Sequence, residues 1–291
     1  MQSVNANPPQ LRPRHRPGGV RELLGIALPM VVSHGCDTVM TFTDRLFLSR
    51  LGPEQMNAAM AGGLSCFMLT TFFLGLVGYS TALVAQYLGA GQPHRCGAAT
   101  AQAILICLIA WPLIVAARPL IHLLFEMARV PSEQIGPQRA YFDILVLAAG
   151  VGLLRHALSS FFSGIGRTRV VMLSAITAMV INIGLNYVLI FGKFGVPALG
   201  IRGAAYGTIV GSACALAVLG VAYFAKSNRK EFDVFRALKF DAAVMRKLLR
   251  FGYPAGVEMF LNLLAFSAMI LTFHAHGLVN ANATTTVSYT H

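Results

Sequence analysis

Long apolar intervals separated by short basic ones dominate the chain. The first interval runs from about residue 22 to 48 and carries Asp37, Asp44 and Arg45. The second lies between Glu54 and Arg95. The third lies between Arg95 and Arg118, where Pro112 is expected to kink it. The fourth covers about 140–166 and is interrupted by Asp143 and Arg155. The fifth and sixth lie between Arg169 and Lys193 and between Arg202 and Lys226, and the seventh starts near Arg250. Each has room for the ~20 apolar residues that a helix needs to cross a bilayer core, and the alternating ten-residue pattern of a barrel strand is missing. The pattern predicts an all-α, polytopic membrane protein with seven crossings.

Composition agrees and narrows the class. Of the 291 residues, 56% are hydrophobic and 12% charged, and the mean hydropathy is +0.64. A soluble domain carries about 25% charged residues, so a soluble enzyme, a disordered chain and a disulfide scaffold are excluded. The five cysteines (36, 66, 96, 107 and 214) are odd in number and lack metal-ligand spacing; four sit in or beside apolar runs and Cys96 in a basic loop. Net charge is +12, with a pI near 10. These basic residues sit in short loops between apolar runs, which argues for membrane topology and against a nucleic-acid partner. With the N-terminus inside, 15 of the 23 Lys and Arg fall in inner segments and six in outer ones. The N-terminus is therefore expected in the cytoplasm. Residues 1–20 are polar, with three arginines and no apolar core, and are expected to form a disordered cytoplasmic tail without a cleavable signal. In the 226–250 loop, Phe232, Phe235, Leu238, Val244 and Leu248 are interleaved with Lys and Arg. That segment reads either as amphipathic and lying on the inner membrane surface or as a solvated connector.

An internal repeat organises the spans. With residues 21–60 set over 246–285, Arg21 falls on Arg246, Leu23 and Leu24 on Leu248 and Leu249, and Pro29 on Pro254. Gly52 falls on Gly277 and Ala58 on Ala283. Six helices separate the copies, an even number, so the duplication is parallel, with its pseudo-twofold along the membrane normal. The expected organisation is a tail (1–20), a six-helix lobe (21–225), a cytoplasmic inter-lobe linker (226–250) and the first helix of a second lobe (251–291). The remainder of that second lobe is expected to lie beyond His291, which makes the sequence a fragment.

Ionisable groups within spans each cost roughly 2.5–3.5 kcal/mol to insert and are functional by default. Asp37 and Asp44 are seven residues apart, about 700° of helical rotation, and so share one face of the first helix. Asn182 and Asn186, at i and i+4 with Tyr187 adjacent, put two amides on one face of the fifth span. Beside a carboxylate they can bind a dehydrated cation, hydrogen-bond a substrate or join helices. Glu258 and Asn262 repeat the i, i+4 spacing in the seventh span, over Ser33 and Asp37 in the repeat alignment. Gln86 and Arg155 are weaker candidates, and Arg155 cannot touch Asp143 twelve residues away on the same helix. Gly203, Gly207 and Gly211 form a small-residue ridge read as helix packing. The sequence carries no catalytic triad, metal-ligand spacing or nucleotide fingerprint.

Several strings resemble the multidrug and toxic compound extrusion (MATE) transporters. LPMVVSHGCDTVMTFTDRLFLSRLGPE resembles that family's opening helix, with Asp44 at its Val-Asp position, here Thr-Asp. VAQYLGAGQ is similar to the end of its second helix and SSFFSGIGRTR to the exit of its fourth. INIGLNYVLIFGKFGVPALGIRGAAYGT, from the fifth helix into the sixth, is the most specific match, and FGYPAGVEMFLNLLAF resembles the seventh helix. The resemblance covers about residues 20 to 290. It implies twelve helices in two six-helix lobes in the plasma membrane, exporting cationic or amphipathic compounds in exchange for Na⁺ or H⁺, with no other cofactor. It also implies an N-lobe cation site, Na⁺ included, at Asp44, Asn182 and Asn186. Two positions depart from the family: Asn186 stands where some members carry Asp, and Asn262 where some carry Glu. A lipid-linked precursor flippase of the same superfamily is an alternative. An intramembrane enzyme using Ser33, His34 and His156 is a more remote one.

Overall fold

Glycine and proline set most of the helix boundaries. The computed structural model describes residues 19–128, 132–234 and 239–275. Among them the regular elements are α-helices: α1 (Val20–Ser49), α2 (Pro53–Gly78), α3 (Ser80–Gly89), α4 (Pro93–Ala116), α5 (Arg118–Met127) and α6 (Ser132–Leu147). They continue as α7 (Ala149–Gly164), α8 (Thr168–Phe191), α9 (Ile201–Tyr223), α10 (Lys226–Glu231) and α11 (Ala242–Ala275). Gly52, at φ +128°, turns the chain between α1 and α2. Pro53 then opens α2, where its missing N–H is no loss. At the end of α8, Gly192 takes the left-handed conformation and the Lys193 N–H donates to the Val188 carbonyl at 3.1 Å, closing the last turn.

Five helical stretches are long and apolar enough to cross a membrane: Leu23–Ser49, Pro53–Gly89, Pro93–Ala116, Thr168–Phe191 and Ile201–Tyr223. The bent pair α6 and α7 makes a sixth when taken as one span. These are the first six expected crossings, in order. Pro112 lies inside α4, which continues to Ala116. The fourth crossing departs from expectation, because it begins at Ser132 and is bent by 46° at Ala148. Trp111 accounts for the bend. Its indole N–H donates to the Leu147 carbonyl at 3.0 Å, and its ring lies where a side chain on Gly150 would stand.

The seventh expected crossing falls on α11, which starts at Ala242, ahead of the expected boundary at 251. Asp241 causes the early start. Its Oδ1 accepts the backbone N–H groups of Ala243 (2.9 Å) and Val244 (3.1 Å), satisfying donors that the first turn leaves free. Arg246, Lys247 and Arg250 belong to this helix, whereas a hydropathy reading assigns them to a loop. Both repeat prolines, Pro29 and Pro254, lie inside long helices. Gly277, Ala283, the tail over residues 1–18 and His291 lie outside the described residues.

The linker was expected either to lie on the inner membrane surface or to be a solvated connector; in part, its described residues pack into the bundle. Phe232, Val244 and Leu248 are buried in the main core. The Phe232 ring meets Phe161 edge-on at 5.2 Å, with the Arg167 guanidinium 5.8 Å above it. Arg167 also pairs with Glu231 at 2.7 Å and donates to Asn228, and Gln102 donates to the Lys239 carbonyl at 3.1 Å. Phe235 and Leu238 lie outside the described residues. Cys96, expected in a basic loop, is in the first turn of α4, fully buried, with its Sγ 3.4 Å from the Val84 carbonyl.

Two core clusters organise the bundle. The larger joins α2 to α7, α9, the linker and the start of α11 around Phe142, Phe161, Phe162 and Tyr223. The smaller contains Leu48, Ala58, Tyr141, Ile190, Ile201 and Ala204, where α1, α2, α6, α8 and α9 meet. Half of the apolar stretch of α4 is buried, against 17% of that of α1. So α4 is central, and α1 is a peripheral helix that leans on α8.

Candidate functional site

The site begins with a close approach of two helices. On α9, Gly203, Gly207 and Gly211 face α8 with no room for a side chain. A Cβ on Gly203 would stand 2.7 Å from the Leu189 carbonyl carbon, and one on Gly211 2.9 Å from the Ala178 carbonyl oxygen. A Cβ on Gly207 would overlap the side-chain oxygen of Asn186. The predicted packing ridge is therefore observed, and it also makes space for an amide. A second contact of this kind, between α2 and α11, was not anticipated. There Gly75 faces the backbone of Ala255 and Gly256, and Gly252 faces Leu76.

In the space left by the α9 ridge, a chain of polar side chains crosses three helices. Asn186 Nδ2 on α8 donates to Asp44 Oδ1 on α1 at 2.5 Å and to Asn182 Oδ1 at 3.2 Å. Asn182 Nδ2 donates to Thr208 Oγ1 on α9 at 3.2 Å, and the Thr208 hydroxyl donates to the Ala204 carbonyl at 3.0 Å. Both asparagines are fully buried, and Asp44 is half-buried. Each donor in the chain has an acceptor, but one acceptor is left over: Asn186 Oδ1 is buried with no hydrogen-bond partner. Such an orphan costs about 1–3 kcal/mol. It belongs to the same amide whose NH₂ holds Asp44. Side-chain oxygens of Asp44 and Asn182 thus meet at the Asn186 NH₂, and the third oxygen, that of Asn186 itself, is turned toward Gly207 of α9. That donor set suits a hard cation such as Na⁺. Among the described residues no cluster of three His, Cys, Asp or Glu offers a metal site of another kind.

Asp37 is separate. Its carboxylate lies 3.9 Å from Arg155 Nη1 on α7, with side-chain exposures of 45% and 30%. Asp143, which cannot reach Arg155 along its own helix, pairs with His122 Nε2 at 2.8 Å and Arg118 Nε at 3.3 Å on α5. Tyr187 points away from the amide chain. Its ring packs near Phe47 (6.2 Å) and Phe191 (5.8 Å), and it is 46% exposed. Gln86 is exposed on α3, and Glu258 and Asn262 are exposed on α11. The structure therefore brings Asp44, Asn182 and Asn186 together, joins Asp37 to Arg155, and leaves Tyr187, Gln86, Glu258 and Asn262 outside both groups. Ser33, a candidate nucleophile of the enzyme alternative, donates its hydroxyl to the Pro29 carbonyl at 2.8 Å. Thr208 is the member of the chain that sequence reading missed. Its one signal was its place beside Gly207.

Six apolar spans with a carboxylate–amide chain between three of them define an integral, multi-pass membrane protein. The chain belongs to the MatE family, whose model matches residues 29–188, a range that includes Asp44, Asn182 and Asn186. It is 29% identical to the multidrug resistance protein PmpM of Pseudomonas aeruginosa over 264 residues, covering 87% of this chain and 53% of PmpM. It is 32% identical to the probable multidrug resistance protein NorM of Bradyrhizobium diazoefficiens over 270 residues, covering 90% of this chain and 56% of that one. Its fold is similar to that of a MOP superfamily transporter from Pyrococcus furiosus, with a TM-score of 0.80 at 19% identity, covering 92% of this chain and 59% of that one. A multidrug resistance MATE family transporter in its outward-facing conformation gives a TM-score of 0.76 at 20% identity, covering 87% and 54%. The chain spans about half the length of the curated relatives it matches. The relatives are named for transport and drug resistance, and this is not an enzyme family.

Proposed function

We propose that the protein is a cation-coupled antiporter, driven by Na⁺ or H⁺, that exports cationic or amphipathic organic compounds by alternating access. Its partner within the membrane would be a second lobe, as in its longer relatives, and its N-terminus would face the cytoplasm of a plasma membrane. The observation that carries this reading is the Asp44–Asn186–Asn182 chain with its unpartnered Asn186 oxygen. As it stands, the Asn186 NH₂ holds the Asp44 carboxylate in the way a bound cation would. Turning that amide by 180° exchanges its NH₂ for its oxygen. Asp44, Asn182 and Asn186 then present three oxygens to an ion that replaces the NH₂. A proton would instead neutralise Asp44. The ion would join α1 to α8 through shared ligands, whereas the proton would weaken their tie; either shifts the balance between two arrangements of α1 by its differential affinity for them.

The test is Asp44→Asn in the protein at its natural length, reconstituted in vesicles. Ion-driven efflux of an organic cation is expected to fall to the background of empty vesicles, while the size-exclusion profile stays that of the wild type. Unchanged efflux would remove Asp44 from the mechanism.

A further inference from the structure

Arg155 is a charged side chain within a membrane span that the coupling site does not use. It sits near the middle of α7, and its partner Asp37 is on α1. The two helices are not close packing partners, since α1 packs on α8, α2 and α9, so the pair reaches from one to the other by the length of the Arg155 side chain. At 3.9 Å the two charges attract but do not hydrogen-bond. Among the described residues Arg155 donates no hydrogen bond, and its Nε is buried without a partner. A guanidinium has five N–H donors in a planar fork that matches a carboxylate. Here the fork is unfilled in surroundings where unmade hydrogen bonds are costly. Asp37 keeps most of its acceptor sites open, being 45% exposed. The adjacent titratable group, His156, lies against Gly78 of α2, and its Nε2 is likewise buried without a partner.

We propose that Asp37 and Arg155 form a two-point recognition site for zwitterionic amphiphiles, in which Arg155 takes the substrate's carboxylate and Asp37 its cationic group. Arg155 is then the residue that sets charge specificity, and Asp44 has no part in it. This deepens the transport reading above and rests on it for the word substrate; the recognition itself is a binding property and can be measured without transport.

The probes are rhodamine B, a zwitterion, and rhodamine B ethyl ester, a cation of nearly the same shape that lacks the carboxylate. Binding to the purified protein at its natural length is read by fluorescence anisotropy. The wild type is expected to bind rhodamine B about tenfold more tightly than the ester, the scale of one charge-assisted hydrogen-bonded contact. Arg155→Gln is expected to abolish that preference by weakening rhodamine B alone. Arg155→Lys keeps the charge without the fork and is expected to retain part of the preference. Asp37→Asn is expected to weaken the ester more than rhodamine B. A wild type without preference, or an Arg155→Gln protein that loses both ligands equally, overturns the proposal. If the preference is present but no ion gradient drives efflux of either dye, the transport reading fails and this site stands.

Discussion

Asp44 and Asp37 lie on one face of one helix, two turns apart, and are chemically identical. Asp44 is gripped at 2.5 Å by a fully buried amide, whereas Asp37 faces a guanidinium across 3.9 Å and is 45% exposed. Nothing on α1 makes that difference. It comes from the helix opposite. At Asp44 that helix is α8, pressed by the glycines of α9 so closely that the Asn186 amide is forced toward α1. At Asp37 it is α7, reached by one long side chain. The surroundings of an intramembrane carboxylate are therefore set by how its neighbours pack: the Asp44 end is closed by a buried amide, and the Asp37 end is left partly exposed.

The largest effect on this contrast is expected at Gly207, which touches neither carboxylate. In Gly207→Ala the new methyl group would overlap Asn186 Oδ1 and stand 2.9 Å from its Cγ. Overpacking of this kind costs about 1–3 kcal/mol. The thermal midpoint in detergent should fall clearly, and ion-driven efflux should fall with it because Asn186 no longer meets Asp44. Wild-type behaviour in both would mean that the ridge does not position the amide. A smaller loss is expected for Asn186→Ala, which removes the donor to Asp44 and leaves the ridge intact. Intramembrane hydrogen bonds contribute about 0.6 kcal/mol each, up to ~1.7. The variant should remain folded with a slightly lower midpoint, and it should need a higher concentration of the coupling ion for half-maximal efflux. The smallest effect on stability is expected for Asp37→Asn. An open, partly solvated ion pair contributes about 0–1 kcal/mol, so the midpoint should hardly move. A drop as large as that of Gly207→Ala would show that the open end is as tightly built as the closed one.

Much of the fold was legible in the chain. Six of the seven apolar intervals match six spans of the structure, because a lipid-facing helix must be apolar over its whole length and that requirement is local. Asn182 and Asn186 were legible for the same reason, since a 3.6-residue period places i and i+4 side by side. The misreadings share another cause. The bend at Ala148 depends on Trp111 of α4, the early start of α11 on capping by Asp241, and the burial of Phe232 on Phe161. Two of these three contacts are made between residues distant in sequence. The third is a local cap that the charge pattern around Arg246 and Lys247 concealed.

The sequence by itself determined that six apolar segments form membrane-spanning helices and that two carboxylates occupy one face of the first. It also contained the glycine ridge, since small residues every four positions share one helix face and permit a close helix contact. Tertiary structure alone decided which carboxylate meets the amides, that Thr208 ends their hydrogen-bond chain, that Asn186 keeps an unpartnered oxygen, and that Arg155 lies opposite Asp37. The physical reason is reach. Periodicity fixes the direction of a side chain about its own helix axis, but its partner is chosen by the distance and tilt of the neighbouring helix, which depend on residues far away in the chain.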